Sequence, residues 1–279
     1  MNKIRFWAYL PTLLLLLLFV LIPLVNLLIP TLFSKDGFIS GYIDFFSSLY
    51  NLKILWRTLK ISFVVTLICA LLGVPTAYFI SGVSSKVKGL LMALTLFPML
   101  TNSVIRAFAW ITILGKNGVI NNLLTSLKFI NQPFSLLYTE GSIIVGSVYL
   151  FLPTMIITLV GVMEQIEDDI LEAASTLGAS QWKIISSIII PLSLPGTIVG
   201  SILVFTGTLT AYTTPQLLGG NKNMMLATFL QQKAVTLGDW SSASVIAFIM
   251  IVITLLVMKS LNLVAKRVDK RNQIGEVTS

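Results

Sequence analysis

The sequence predicts an all-α, polytopic membrane protein with six transmembrane helices. Three observations carry this expectation. Hydrophobic residues make up 56% of the chain and charged residues only 11%, against about 25% charged in soluble domains. Several apolar runs approach or exceed the roughly 20 residues that cross a hydrocarbon core as a helix. The 279 residues hold about six such spans with connectors and leave little room for a separate soluble domain.

The first span runs from Ala8 to Ile29, behind Lys3 and Arg5. Its apolar run is too long for a secretory signal and no small-residue cleavage site follows it. Pro23 is expected to kink it, because proline removes a backbone donor and crowds the preceding turn. A polar stretch from Ser34 to Asn51 leads to "LKILWRTLK", where Lys53, Arg57 and Lys60 share one helical face. Span two is Ile61 to Ile80, followed by a short loop with Lys86 and Lys88. Span three, Leu90 to Leu114, contains "FPMLTNSVIRAFAW", with a break expected after Pro98. Span four is Ile143 to Met163. Span five, Leu194 to Leu217, is rich in hydroxyls, and span six, Ser244 to Leu263, precedes the basic tail "KRVDKR".

Six spans place both termini on one side. Lys3, Arg5, Lys266, Arg267, Lys270 and Arg271, with Lys86 and Lys88, mark that side as cytoplasmic. The opposite connectors also carry cations, Lys53, Arg57 and Lys60 among them, so the bias is modest.

Several chemistries are excluded. The lone cysteine, Cys69, permits no intramolecular disulfide. The chain contains no histidine, which removes His-based metal sites and Ser-His or Cys-His catalysis, and no cysteine cluster replaces them. No metal site is therefore expected. The formal charge of +8 reads as membrane orientation rather than nucleic-acid binding, because no basic stripe with interleaved aromatics appears.

The connector between spans four and five is "EQIEDDILEAASTLGASQWKIISSIIIP". Asp168 or Asp169 is expected to cap a helix starting near Ile170, with Glu164, Glu167 and Glu172 at its positive end. Gly178 is placed to end that helix in a left-handed cap, and Ser180 to cap a second helix beginning at Gln181. Trp182, Ile185 and Ile189 would form the apolar stripe of the second helix. Pro191 and Pro195 mark the entry to span five. Two readings stand: an amphipathic linker on the membrane surface, and a short helix offered to a groove on a partner.

This segment resembles the EAA loop of bacterial ABC importer permeases, whose pattern is E-A-A, three residues, G, nine residues, I-x-L-P. Glu172, Ala173, Ala174, Gly178, Ile188 and Pro191 fall in register, and Ile190 stands where the pattern has leucine. "LKISFVVTLICALLGVPTAYFIS" resembles the family's second-helix region, "PMLTNSVIRAFAW" the third helix of its polyamine group, and "LLGG" with "GDWSSASVIAF" the end of the same domain, so that the chain as a whole is most similar to the spermidine/putrescine group. The likeness covers residues 55 to 265. It implies the type I ABC importer permease fold (MetI-like), with a helix and extracytoplasmic segment at 1–54, a core at 55–265 containing the loop 164–191, and a basic cytoplasmic tail at 266–279.

The resemblance further implies a non-enzymatic transport subunit in a bacterial cell membrane, with no nucleic-acid partner. Its implied partners are a cytoplasmic ABC ATPase dimer carrying ATP and Mg, a second permease, an extracytoplasmic substrate-binding protein and the lipid bilayer. This chain itself has no Walker A pattern and needs no cofactor. Glu172, Ala173, Ala174, Leu177, Gly178 and Trp182 are the implied ATPase-coupling residues. Glu172 would make a polar contact, the small alanines would permit close approach, and Gly178 would supply the bend. A plainer reading makes Glu172 a helix-dipole acid.

Translocation-path candidates are the polar and aromatic groups within spans: Tyr78, Phe97, Thr101, Asn102, Ser103, Arg106, Trp110, Thr210 and Tyr212. Arg106 is the one charge deep in an apolar run, and such residues face a cavity or the bundle interior. Hydroxyls inside spans more often bond backbone carbonyls or neighbouring helices. One point opposes a polyamine substrate: no Asp or Glu lies in any expected span, and Arg106 would repel a polycation. The aromatics offer cation–π surface instead. A permease for an amino acid-like solute, a metal or an anion stays open, as do a stand-alone channel or carrier and, less favoured, an intramembrane enzyme.

Overall fold

The computed structural model of the protein describes residues 3–34 and 37–268. The basic tail residues Lys270 and Arg271 lie outside the described residues. Twelve helices and their π-turns account for nearly all of the described chain. Two two-residue strands, Phe33–Ser34 and Gly37–Phe38, pair antiparallel. The chain divides into two compact units, one of Met1–Lys53 and Thr228–Val252, the other of Ile54–Ala227 and Ile253–Ser279.

The first unit opens with α1 (Lys3–Leu32), which carries the apolar stretch Leu14–Leu27 and continues as helix through Pro23. The connector expected to be merely polar holds a further helix, α2 (Ser40–Ser47). Phe45 anchors it in the unit's interior. Tyr42 meets the ring of Phe248 edge-on at 5.7 Å, and a Cβ on Gly41 would lie 3.0 Å from Val245. Both contacts seat α2 against the start of α12 (Trp240–Val268). The start of α3 (Leu49–Ser81) and the end of α11 (Leu226–Gln231), with the π-turn Gln232–Thr236, complete this unit.

The second unit is built around α7 (Glu140–Met163), which packs along α10 (Ile190–Thr210). Its interior joins Ile61, Val65 and Cys69 of α3 to Met155 and Leu159 of α7 and Val204 of α10. Small residues set the spacing. A Cβ on Gly73 of α3 would lie 2.6 Å from Met155 Cγ, and one on Gly200 of α10 would lie 2.5 Å from Met155 Sδ. Met155 therefore occupies space that two glycines leave open, one on each neighbouring helix, as close helix packing in lipid requires. The buried Thr58 hydroxyl donates to the Ile54 carbonyl at 2.8 Å and accepts the Leu226 N–H at 2.9 Å, tying α3 to the start of α11.

Among the described residues four helices are long and apolar enough to cross a membrane: Leu49–Ser81, Glu140–Met163, Gln181–Thr210 and Trp240–Val264. Ser85–Leu100 and Ser103–Ser126, bent by 92°, together are apolar enough to count as a fifth, broken span. With α1, whose apolar stretch Leu14–Leu27 is shorter, these helices fall in the order of the six expected segments, although among the described residues four to five of them are long and apolar enough to span and their boundaries differ. Span two begins at Leu49 rather than Ile61, because the cations of "LKILWRTLK" are accommodated on the helix itself. The break in span three falls at Thr101–Asn102, with Pro98 still helical inside α4 (Ser85–Leu100). The fifth span starts at Gln181 and ends at Thr210, so Pro191 and Pro195 lie inside it rather than at its entry. A π-turn at Ile185–Ile189 joins α9 (Gln181–Ile184) to α10 without interruption.

Candidate functional site

Two built features stand out in the second unit: the elbow between the fourth and fifth spans, and the break in the third. The elbow begins where α7 ends. Its first helix, α8, runs Asp168–Thr176 with Glu167 in the N-cap position and no side-chain capping bond. The expected caps at Asp168 or Asp169 are therefore corrected, because the helix starts two residues earlier than expected.

The other end behaves as predicted. Gly178 adopts φ +83°, its N–H donates to Ser175 O at 2.9 Å, and the Ala179 N–H donates to Ala174 O at 3.1 Å. This pair of bonds is a Schellman motif, which satisfies the last carbonyls of a helix and needs a left-handed residue at its elbow. Ser180 then accepts the Lys183 N–H at 3.4 Å and starts α9.

The elbow has an inner and an outer face. Leu171, Ala174 and Ala179 pack against the core of the unit. Glu172 and Ala173 are exposed, and Leu177 and Trp182 stand 88% and 81% exposed. Of the expected stripe Trp182, Ile185 and Ile189, Ile189 is buried and Ile185 packs partly against the core, joined by the buried Ile184, and only Trp182 is corrected. The π-turn inserts one residue into the helical phase, so positions five apart align, and Trp182 is turned away. Behind the elbow lies a cavity of about 670 Å³, bordered by Tyr78, Phe79, Gly82, Glu164, Leu171 and Ile189. Lys88 Nζ lies 2.8 Å from Glu164 Oε1 at its edge.

At the break, Asn102 caps α5 (Ser103–Leu114), its Oδ1 accepting the Val104 N–H at 2.9 Å and the Ile105 N–H at 3.4 Å. Arg106 Nη1 donates to the Pro98 carbonyl at 2.6 Å and to the Thr101 carbonyl at 3.3 Å. These are carbonyls of the last turn of α4 and of its C-cap, at the negative end of its dipole. A charge in an apolar span is thus held by backbone acceptors. The Thr101 hydroxyl bonds the Pro98 carbonyl at 2.9 Å. Thr101, Asn102, Ser103 and Arg106 are brought together here.

The remaining candidates lie elsewhere. Trp110 meets Tyr149 edge-on at 5.6 Å. Phe97 is exposed on α4. Tyr78 lines the cavity behind the elbow. Thr210 bonds the Thr206 carbonyl at 2.9 Å, and Tyr212 follows the end of α10.

One charged cluster was not singled out from the sequence. Glu140, the first residue of α7, accepts from Arg57 Nε at 3.1 Å and pairs with Lys60, while Arg57 Nη1 donates to the Met224 carbonyl at 3.1 Å. Its signal was present: Arg57 and Lys60 are three apart on one face, and Glu140 is the one acid between Asp44 and Glu164.

The fold and the elbow define a polytopic helical membrane protein of the importer-permease class, with a structured loop presented between two spans. Residues 70–272 match the family described as "Binding-protein-dependent transport system inner membrane component". The chain belongs to this family. It is 32% identical over 240 residues to the "Spermidine/putrescine transport system permease protein PotB" of Haemophilus influenzae, covering 83% of this chain and 84% of that one. The PotB of Escherichia coli is 31% identical over 233 residues, covering 81% and 84%. Among solved structures, a chain of a bacterial alginate ABC transporter, in complex with an alginate pentasaccharide-bound periplasmic protein, superposes with a TM-score of 0.81 at 19% identity, covering 96% of this chain and 95% of that chain. The protein is therefore a multi-pass membrane transport permease.

Proposed function

We propose that this chain is the permease subunit of an ATP-driven importer of spermidine/putrescine-type polyamines. The outer face of the elbow carries the reading. Leu177 and Trp182 stand exposed beside Glu172 and Ala173 on a connector that lies between two spans. Large apolar side chains held outward by a fixed turn mark a contact surface. The partner is a cytoplasmic ABC ATPase dimer, which binds ATP and Mg and carries out hydrolysis; this chain needs no cofactor of its own. Closure of that dimer pushes on α8, and the Gly178 elbow passes the movement into α9 and, through the π-turn, into the fifth span. Glu172 supplies the polar contact, while Ala173 and Ala174 admit close approach.

The elbow and both termini face the cytoplasm. A second permease completes the pathway, and an extracytoplasmic binding protein delivers the solute. The substrate class rests on the relatives named as spermidine/putrescine permeases. The pathway drawn from this chain runs past the break, with Phe97, Ser103, Trp110, Thr210 and Tyr212 as its lining and Arg106 held aside by α4.

The test is reconstitution of the chain with its partner ATPase, second permease and binding protein. ATP-dependent uptake of labelled spermidine or putrescine is expected, and Glu172→Lys should abolish uptake and ATPase co-purification together. Uptake of neither polyamine retires the substrate reading. Intact uptake and ATPase retention by Glu172→Lys retires the coupling reading.

A further inference from the structure

By chain topology, the connectors opposite the elbow carry four acids: Asp36, Asp44, Glu140 and Asp239. Asp36 lies outside the described residues. Glu140 is paired with Arg57 and Lys60, and Asp239 with Lys233 at 3.3 Å. Asp44, exposed on α2, takes part in no ion pair or hydrogen bond among the described residues. It opens into a cavity of about 360 Å³ formed within the first unit by α2, the start of α3, the π-turn Gln232–Thr236 and the start of α12.

Part of the wall of this cavity is aromatic, from Phe45, Tyr50 and Phe229. Phe229 is 5% exposed and meets Tyr50 edge-on at 5.9 Å. The cavity already accommodates one primary ammonium. Lys233 Nζ lies 5.9 Å from the centroid of Phe229, and its partner Asp239 is fixed by the Ser242 N–H at 3.1 Å. A ring face beside a carboxylate is the arrangement that stabilises an alkylammonium. A hard divalent cation is a poor fit, because it requires about six oxygen ligands and Asp44 brings one carboxylate. With Lys233 paired to Asp239, the unpaired Asp44 leaves the cavity net negative, which disfavours an anion.

We propose that this cavity is a binding site for the primary ammonium end of an alkylamine, with Asp44 as counter-ion and Phe229 and Tyr50 as the apolar wall. Lys233, tethered to Asp239, occupies the neighbouring position and leaves room for one amine end. The site gives an incoming cation a carboxylate on the side where the binding protein delivers it. The choice of a diamine or polyamine as ligand rests on the substrate reading above, whereas the ammonium chemistry rests on the cavity.

The experiment uses the assembled transporter in nanodiscs without its binding protein, with radiolabelled putrescine and butylamine as probes. Saturable binding of both is expected, with 1,4-butanediol failing to compete. Asp44→Asn should weaken binding at least tenfold, Asp44→Glu should retain it, and Phe229→Leu should weaken it several-fold. Equal binding by wild type and Asp44→Asn overturns the site, as does absence of saturable amine binding in the wild type. An assembly that binds butylamine through Asp44 yet imports neither spermidine nor putrescine retires the substrate reading and leaves the ammonium site standing.

Discussion

Lys88 Nζ lies 2.8 Å from Glu164 Oε1 and joins the first turn of α4 to the point where α7 gives way to the elbow. The two side chains are 25% and 44% exposed, so solvent screens the pair and it contributes at most about 1 kcal/mol. Its effect is local: it fixes the base of α8 while contributing little to global stability. Glu164→Gln should leave the thermal midpoint nearly unchanged but speed amide exchange across Asp168–Thr176 by up to about fivefold. The swap Lys88→Glu with Glu164→Lys should restore protection. Unchanged exchange in the single variant would show that the pair does not hold the loop.

Gly178 gives a purely conformational test. A Cβ there meets nothing within 4 Å, yet φ is +83°. Gly178→Ala should therefore cost roughly 1–2 kcal/mol of local stability without any clash, and Gly178→Asn should cost less because asparagine tolerates the left-handed region. Hydrogen exchange at Ala179, whose N–H closes the Schellman motif, reads this directly. Equal protection in all three forms would contradict the elbow.

These two residues also show what the sequence makes legible. Gly178 and Ser180 act through their immediate neighbours, so their roles can be read from a few adjacent letters. The π-turn at Ile185–Ile189 and the continuous helix through Pro191 and Pro195 could not be read that way. Prolines normally signal a boundary, and here an uninterrupted helix overrides that signal. Glu140 was missed because its partners Arg57 and Lys60 lie 83 and 80 positions away in the chain, a relationship periodicity does not report. Arg106 was visible as an intramembrane charge, but its acceptors depend on where the helix breaks, three residues beyond the expected proline.

The outer face of the elbow can be separated from its fold. Leu177 and Trp182 are so exposed that Leu177→Ser and Trp182→Ser should change stability by no more than about 0.5 kcal/mol. If they anchor the ATPase, each should weaken its retention roughly 30-fold or more, the scale of an interface hot spot. Affinity measured between the permease assembly and purified ATPase decides this. Wild-type affinity in both variants would move the docking surface elsewhere.

Asp239 gives a pH dependence. The Ser242 hydrogen bonds first, and then Lys233, hold its carboxyl below the ordinary carboxylate value of 3.8 against a smaller opposing effect of burial. A depressed folded-state pKa stabilises the fold above the unfolded value and loses that contribution as pH falls through the folded one. Asp239→Asn should therefore lower the thermal midpoint near neutral pH, and the difference from wild type should shrink below about pH 4. A difference that persists unchanged into acid would mean that charge is not the source.

Met155 tests the packing of the second unit. Both neighbouring glycines leave it room, but the two contacts are unequal. At Gly73 an added Cβ meets Met155 Cγ, close to the backbone and hard to displace, whereas at Gly200 it meets the more movable sulfur. Overpacking costs about 1–3 kcal/mol, so Gly73→Ala should lie at the upper end and Gly200→Ala nearer the lower. Met155→Ala alone removes buried volume and should cost about 2–5 kcal/mol. Combined with Gly73→Ala, the new methyl fills part of that space, and the double variant should be more stable than the two single effects predict by about 0.5–3 kcal/mol. Thermal unfolding of the four forms in one detergent measures this coupling. Strict additivity would show that Gly73 and Met155 do not share the gap between α3 and α7.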